Sequence, residues 1–96
     1  DRAAIIALPE SMQQAYVDHL LSFMTKSTRL FLVSIEFPRA EMSGPPFPLF
    51  QQDINHLFIG YNVEAVAVND ITNKRFAQRE FDVSYLTERL YVITKA

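Results

Sequence analysis

Two histidines, three arginines and one proline-rich run are the residues whose types could do chemistry in this chain. Asp53 and His56 are three apart, a spacing that puts both on one helical face and invites an acid–base pairing. Surface pairs at that spacing are common and are worth only about 0.2–0.5 kcal/mol, so they are read as surface residues. His19 and His56 have no i, i+4 partner, so both are read as structural, with no metal site. Arg2, Arg75 and Arg79 are the candidate cationic groups. A guanidinium holds anions and planar polar ligands through a fixed fork of donors. For any single arginine, a solvated surface charge is the simpler account. The run Gly44-Pro45-Pro46-Phe47 is more specific. Two successive prolines leave a backbone with little entropy to lose on binding, and Phe47 could offer a flat apolar wall to an aromatic ring. A rigid connector whose Phe plugs the core is the simpler reading of the same run.

No Ser-His-Asp arrangement with supporting glycines, no GxGxxG and no P-loop is present. No residue is assigned a catalytic role. With no Cys in 96 residues, disulfides, thiolate nucleophiles and CxxC zinc sites are excluded. A net charge of −2 and a pI near 5.6, with no basic run, give no reason to expect nucleic acid or an anionic membrane as partner. No apolar run approaches the roughly 18 residues of a membrane span, and no signal peptide is visible. Hydrophobic residues make up 49% and charged residues 21%, values that fit a globular domain and not a disordered chain. The chain opens on Asp1-Arg2 rather than Met, so we expect a fragment or a processed product.

These groups need elements to hold them. Ala3 to Leu8 is a short apolar run that periodicity alone leaves open between strand and helix. Pro9-Glu10 opens a helix, since Pro suits the first turn and Glu complements the positive end of the dipole. Met12, Tyr16, Leu20, Phe23 and Met24 make its apolar face, and the pattern stops near Thr25-Lys26. Leu30 to Phe37 is apolar on both faces, as in a strand buried between two layers of a parallel sheet, and Pro38 ends it. Residues 38–49, rich in Pro, form a long loop. Phe50 to Ile59 reads as a short helix with Phe50, Ile54, Leu57 and Phe58 on one face and Gly60 at the C′ position. Asn62 to Val68 is a second strand, Asp70 to Glu80 a polar irregular stretch, and Arg89 to Thr94 a last strand. The order predicts the second half of a doubly wound α/β sheet that finishes in an antiparallel hairpin. Leu30 to Phe37 is expected to be central, and an uncovered sheet edge, a liability in a folded protein, is expected to belong to a missing N-terminal half.

Three stretches together resemble the thiopurine methyltransferase family. Asp1-Arg2-Ala3-Ala4 running into Ile5-Ile6-Ala7-Leu8-Pro9 is similar to the family's Asp-Arg-Gly-Ala segment, with Ala3 where the family has Gly. Ser43-Gly44-Pro45-Pro46-Phe47, followed by Ile54-Asn55-His56-Leu57-Phe58, resembles its Gly-Pro-Pro-Phe loop and the helix after it. Leu86 to Thr94 resembles its last strand. The resemblance covers nearly the whole chain. It implies a class I, Rossmann-like fold that uses S-adenosylmethionine, with residues 1–96 the C-terminal part of one methyltransferase domain. It further implies that Ala3 to Leu8 is a loop or short helix. Arg2 would be the cofactor-contacting arginine, and Pro45, Pro46 and Phe47 the lining of the acceptor pocket. The substrate-side arginine would be Arg75 or Arg79. The implied activity is methyl transfer to an aromatic thiol by a cytoplasmic enzyme whose partners are that small molecule and the N-terminal half of its own domain. Other thiols, halides, or selenium and tellurium species are alternative acceptors, and a non-catalytic interaction domain is the alternative of a different class. The Gly-rich loop and the ribose-binding acid of such folds are absent from these residues, so the chain alone is expected to bind no cofactor.

Overall fold

The computed structural model describes residues 4–76 and 79–96. It opens on a single 3-10 turn at Ile5–Ala7 whose Ile5 and Ile6 are buried. The apolar run that could have been a strand is therefore a short helical turn, as the family resemblance implies.

Helix α1 spans Glu10–Leu21 after Pro9 at its N-cap. It differs from the expected helix at its end and in its buried face. Ser22 closes it, its hydroxyl donating to His19 O at 2.6 Å, and Thr25 and Thr28 then bond each other's backbone in a tight turn. Hydroxyl side chains that bond nearby backbone compete with helix in this way. The buried positions are Gln13, Val17 and Met24, whereas Met12 is 52% and Phe23 71% exposed. The helix is turned by about one residue from the face its apolar pattern suggests. The reason is local: Gln13 Nε2 donates to Leu8 O at 3.0 Å, so a polar side chain occupies an inward position and satisfies a carbonyl ahead of the helix.

Three strands form the main sheet: β1 (Arg29–Glu36), β2 (Tyr61–Asp70) and β5 (Thr87–Lys95), in the order β1-β5-β2. All pairings are antiparallel, with Leu32 opposite Tyr91 and Val63 opposite Ile93. The expected antiparallel pairing of the last two long strands is present, interrupted by a bulge between Ala65 and Ala67. The expected central place of Leu30 to Phe37 is corrected, because β1 is an edge strand of the described sheet and β5 is the middle one. Burial along β1 begins at Leu32 and is continuous over Ser34, Ile35 and Glu36, where Leu49 N of the following loop donates to Ile35 O.

Helix α2 (Gln51–Leu57) follows that loop and buries Ile54 and Leu57. Gly60 turns the chain into β2 with φ +87°, one residue beyond the C′ position expected for it. The stretch expected to be irregular contains a small antiparallel ribbon, β3 (Arg75–Phe76) with β4 (Arg79–Glu80). Asp70 and Asn73 build the turn into it: Asp70 Oδ1 accepts from Thr72 N at 2.9 Å and Asn73 takes φ 64°, both habits of short polar turn residues.

The core joins Val17 and Met24 of α1 and the turn after it, Ile54, Leu57 and Phe58 around α2, and Leu32, Tyr91 and Ile93 of the sheet. Cross-strand partners share a face, so Leu30, Leu32, Tyr91, Ile93 and Val63 look toward the helices. Phe31, Val33, Leu90 and Val92 look the other way, stand outside that cluster, and leave Phe31 50% exposed. Among the described residues no helix is long and apolar enough to cross a membrane.

Candidate functional site

The Gly-Pro-Pro-Phe run lies in the loop between β1 and α2, and its geometry is fixed by bonds at both ends and in the middle. Both peptide bonds preceding Pro45 and Pro46 are cis. Phe47 N donates to Ile6 O at 2.6 Å and Leu49 N to Ile35 O at 3.0 Å. The loop is thus stitched to the segment that follows Asp1-Arg2 on one side and to β1 on the other. A Cβ at Gly44 would collide with Cδ1 and Cε1 of the Phe47 ring, so only glycine lets that ring lie back over its own loop.

Two charged residues of the loop reach out of it. Arg39 Nη2 sits 2.6 Å from Asp53 Oδ2, its guanidinium lies over the Phe50 ring at 5.1 Å, and its Nη1 approaches Pro48 O at 3.5 Å. Asp53 also accepts from Phe50 N at 2.8 Å, covering one of the unpaired N–H groups at the start of α2. Its carboxylate is therefore engaged in tying loop to helix. Glu41, in the 3-10 turn Arg39–Glu41, accepts from Ser84 N at 2.6 Å and from Ser84 Oγ at 2.8 Å.

Phe47 forms part of the wall of a cavity of about 400 Å³ between α1 and α2, together with Glu10, Gln13, Arg39, Asp53 and His56. Pro45, Pro46 and Arg75 do not line it. Arg75 lies in β3, exposed and opposite Glu80 in the ribbon. Arg79 belongs to β4 through its backbone, and its side chain lies outside what the structure describes, as does the whole of Arg2. His19 is exposed and packs edge-on against Phe23 at 5.1 Å. Among the described residues no group of three or more His, Asp or Glu is placed to hold a metal ion.

A second polar group is buried beneath the sheet. Arg89 Nε lies 2.7 Å from Glu36 Oε2, close enough for an ion pair although the N–H is not aimed at the oxygen. Ser34 Oγ and Tyr91 Oη are buried on the same face, near enough for Ser34 to favour the ionised Tyr91 but without a well-formed hydrogen bond among the described residues. Burial pushes the Tyr91 hydroxyl above its ordinary range, and the Glu36 carboxylate adds to the effect. Sequence reasoning passed over these residues and over Arg39, Glu41 and Ser84. The only visible signal was Ser34 and Glu36 inside an otherwise apolar strand; nothing local pairs residues 41 and 84.

The fold and the loop together define an α/β unit that carries a Gly-Pro-Pro-Phe loop, hydrogen-bonded to its neighbours, and an arginine-bearing ribbon beside one sheet. Comparison with known proteins gives that class a family. The family model for thiopurine S-methyltransferase matches residues 1–96. Among similar proteins, the thiopurine S-methyltransferase of Photobacterium profundum is 34% identical over 96 residues, covering 100% of this chain and 45% of the relative. That of Vibrio vulnificus is 39% identical over 94 residues, 97% of this chain and 43% of the relative. That of Pseudomonas aeruginosa is 33% identical over 96 residues, 99% and 44% respectively. The chain belongs to the thiopurine S-methyltransferase family. It spans less than half the length of these relatives.

Proposed function

We propose that residues 1–96 form the C-terminal, acceptor-binding part of a methyltransferase domain that moves a methyl group from S-adenosylmethionine to an aromatic thiol. The observation that carries this reading is the hydrogen bond from Phe47 N to Ile6 O. It joins the Pro-Pro-Phe wall to the segment headed by Arg2, the two parts that the family resemblance assigns to acceptor and cofactor. When bound, S-adenosylmethionine supplies an electrophilic methyl on a sulfonium. The work left to this chain is to hold the thiol in line, keep water out and favour the thiolate. Phe47, with Pro45 and Pro46, would offer the ring a stiff apolar surface, and Arg75 or Arg79 would supply a cation to the acceptor.

Arg2 is the one group here assigned to the cofactor, and the remainder of its site belongs to a preceding half of the domain. That half also gives a role to the outer edge of β1 and to the face bearing Phe31, Val33, Leu90 and Val92: a neighbouring strand would pair with the first and helices would cover the second. The same reading takes the enzyme to be cytoplasmic, as the family resemblance implies, with a small-molecule thiol as its partner.

The test is Gly44→Ala in the full-length protein. The added methyl must displace the Phe47 ring, which should raise KM for the thiol about tenfold or more while cofactor affinity stays within about twofold. An unchanged acceptor KM would remove Phe47 from the acceptor wall.

A further inference from the structure

Glu41 and Ser84 are separated by 43 positions and belong to different parts of the chain, yet they make a two-point contact. One carboxylate oxygen takes the Ser84 backbone N–H at 2.6 Å and the other its hydroxyl at 2.8 Å. A bidentate contact fixes orientation as well as distance. Glu41 stands just ahead of the Gly-Pro-Pro-Phe run, and Ser84 stands at the foot of the arginine-bearing ribbon. The foot itself is closed by Ile71 N to Leu86 O at 2.9 Å and by Leu86 N to Thr72 Oγ at 3.0 Å. The buried rings of Phe37 and Phe81 meet edge-on at 6.4 Å beside it. The ribbon therefore has a well-bonded foot, and Glu41 is a polar link between that foot and the loop.

We infer that Glu41 is a positioning residue: by holding Ser84 it registers the ribbon carrying Arg75 and Arg79 against the Pro-Pro-Phe wall, and so sets affinity for the methyl acceptor. This rests on the reading of the loop as the acceptor wall. Both partners are exposed, and exposed contacts of this kind contribute little to global stability, so the bond's consequence is local geometry. The sign of the effect separates this role from a purely electrostatic one. If Glu41 acted through its charge, removing it would favour an anionic thiolate and lower the acceptor KM. Removing a positioning bond raises it.

The experiment uses the full-length protein with an aromatic thiol as acceptor. Glu41→Ala should raise KM for the thiol about three- to tenfold, the size expected for one or two lost hydrogen bonds, with cofactor affinity and melting temperature little changed. Glu41→Gln, whose amide can accept from the Ser84 N–H and donate to its hydroxyl, should recover most of the loss. Ser84→Ala, which keeps the backbone N–H, should give a smaller rise, and the double alanine variant should be no worse than Glu41→Ala. Amide exchange across residues 71–84 should quicken in Glu41→Ala, a readout that does not depend on turnover. An unchanged or lowered thiol KM, or unchanged exchange in that segment, overturns the inference. A wild-type protein that forms no methyl thioether sinks the proposed function instead, and the exchange measurement still decides whether Glu41 registers the ribbon.

Discussion

Asp53 serves two elements with one oxygen, taking Arg39 from the loop and Phe50 N from the start of its own helix. Phe50 at the N-cap has no acceptor of its own, so the carboxylate three residues on does the capping from the inside. Asp53→Ala should therefore cost about 1–2 kcal/mol in chemical denaturation, the range for a lost helix cap. Arg39, whose side chain is 53% exposed, should cost only about 0–1 kcal/mol when changed to Ala, as exposed ion pairs do. Equal losses would mean that the ion pair, not the cap, carries the stability. Tyr91 poses the opposite case. Its hydroxyl is buried beside the Ser34 hydroxyl but makes no well-formed hydrogen bond among the described residues, and its folded pKa lies above the ordinary 10.0. A raised folded pKa means a contribution fully present below about pH 10 and lost as pH climbs through the folded value. Tyr91→Phe should be neutral or stabilising near pH 7, because it deletes a buried hydroxyl that lacks a well-formed hydrogen bond. It should also flatten the fall in stability above pH 10. A loss of stability at pH 7 would show that the hydroxyl is bonded in solution.

At the scale of elements, the strands were the most legible part of the chain. Runs such as Leu30 to Ile35 and Val63 to Val68 carry their own signal because β-branched and apolar residues suit a pleated, half-buried surface. The turn of α1 about its axis was not legible. A glutamine that bonds the preceding carbonyl reads as polar in any pattern of apolar residues, yet it sits inward. The ribbon around Arg75 was hidden for a related reason: two-residue strands carry no periodicity, and their turn depends on Asp70 bonding Thr72 rather than on an Asn-Gly pair. Gly60 was legible, since a helix that ends before a strand needs a residue that tolerates positive φ. The site was legible only in part. Gly44 to Phe47 stood out by composition, but the bonds that position the run, Phe47 to Ile6, Arg39 to Asp53 and Glu41 to Ser84, are long-range and leave no mark in local sequence.

At the scale of the molecule, the described three-stranded sheet has outer edges on β1 and β2, and on one of its faces Phe31, Val33, Leu90 and Val92 lie outside the helix-packed core. Residues 1–96 span less than half the length of relatives named thiopurine S-methyltransferase. On the reading proposed above, the cofactor site is divided between two halves of a domain, and the acceptor wall belongs to this one. The central claim is the identity of the acceptor, and its direct test is a competition assay. The full-length protein is given S-adenosylmethionine and an equimolar mixture of an aromatic thiol, a halide and a selenium oxyanion, and the methylated products are separated by mass. The account predicts that the aromatic methyl thioether forms fastest, because only a planar ring uses the Phe47 wall. Preferential methylation of the halide or the selenium species, with the thiol untouched, would contradict it.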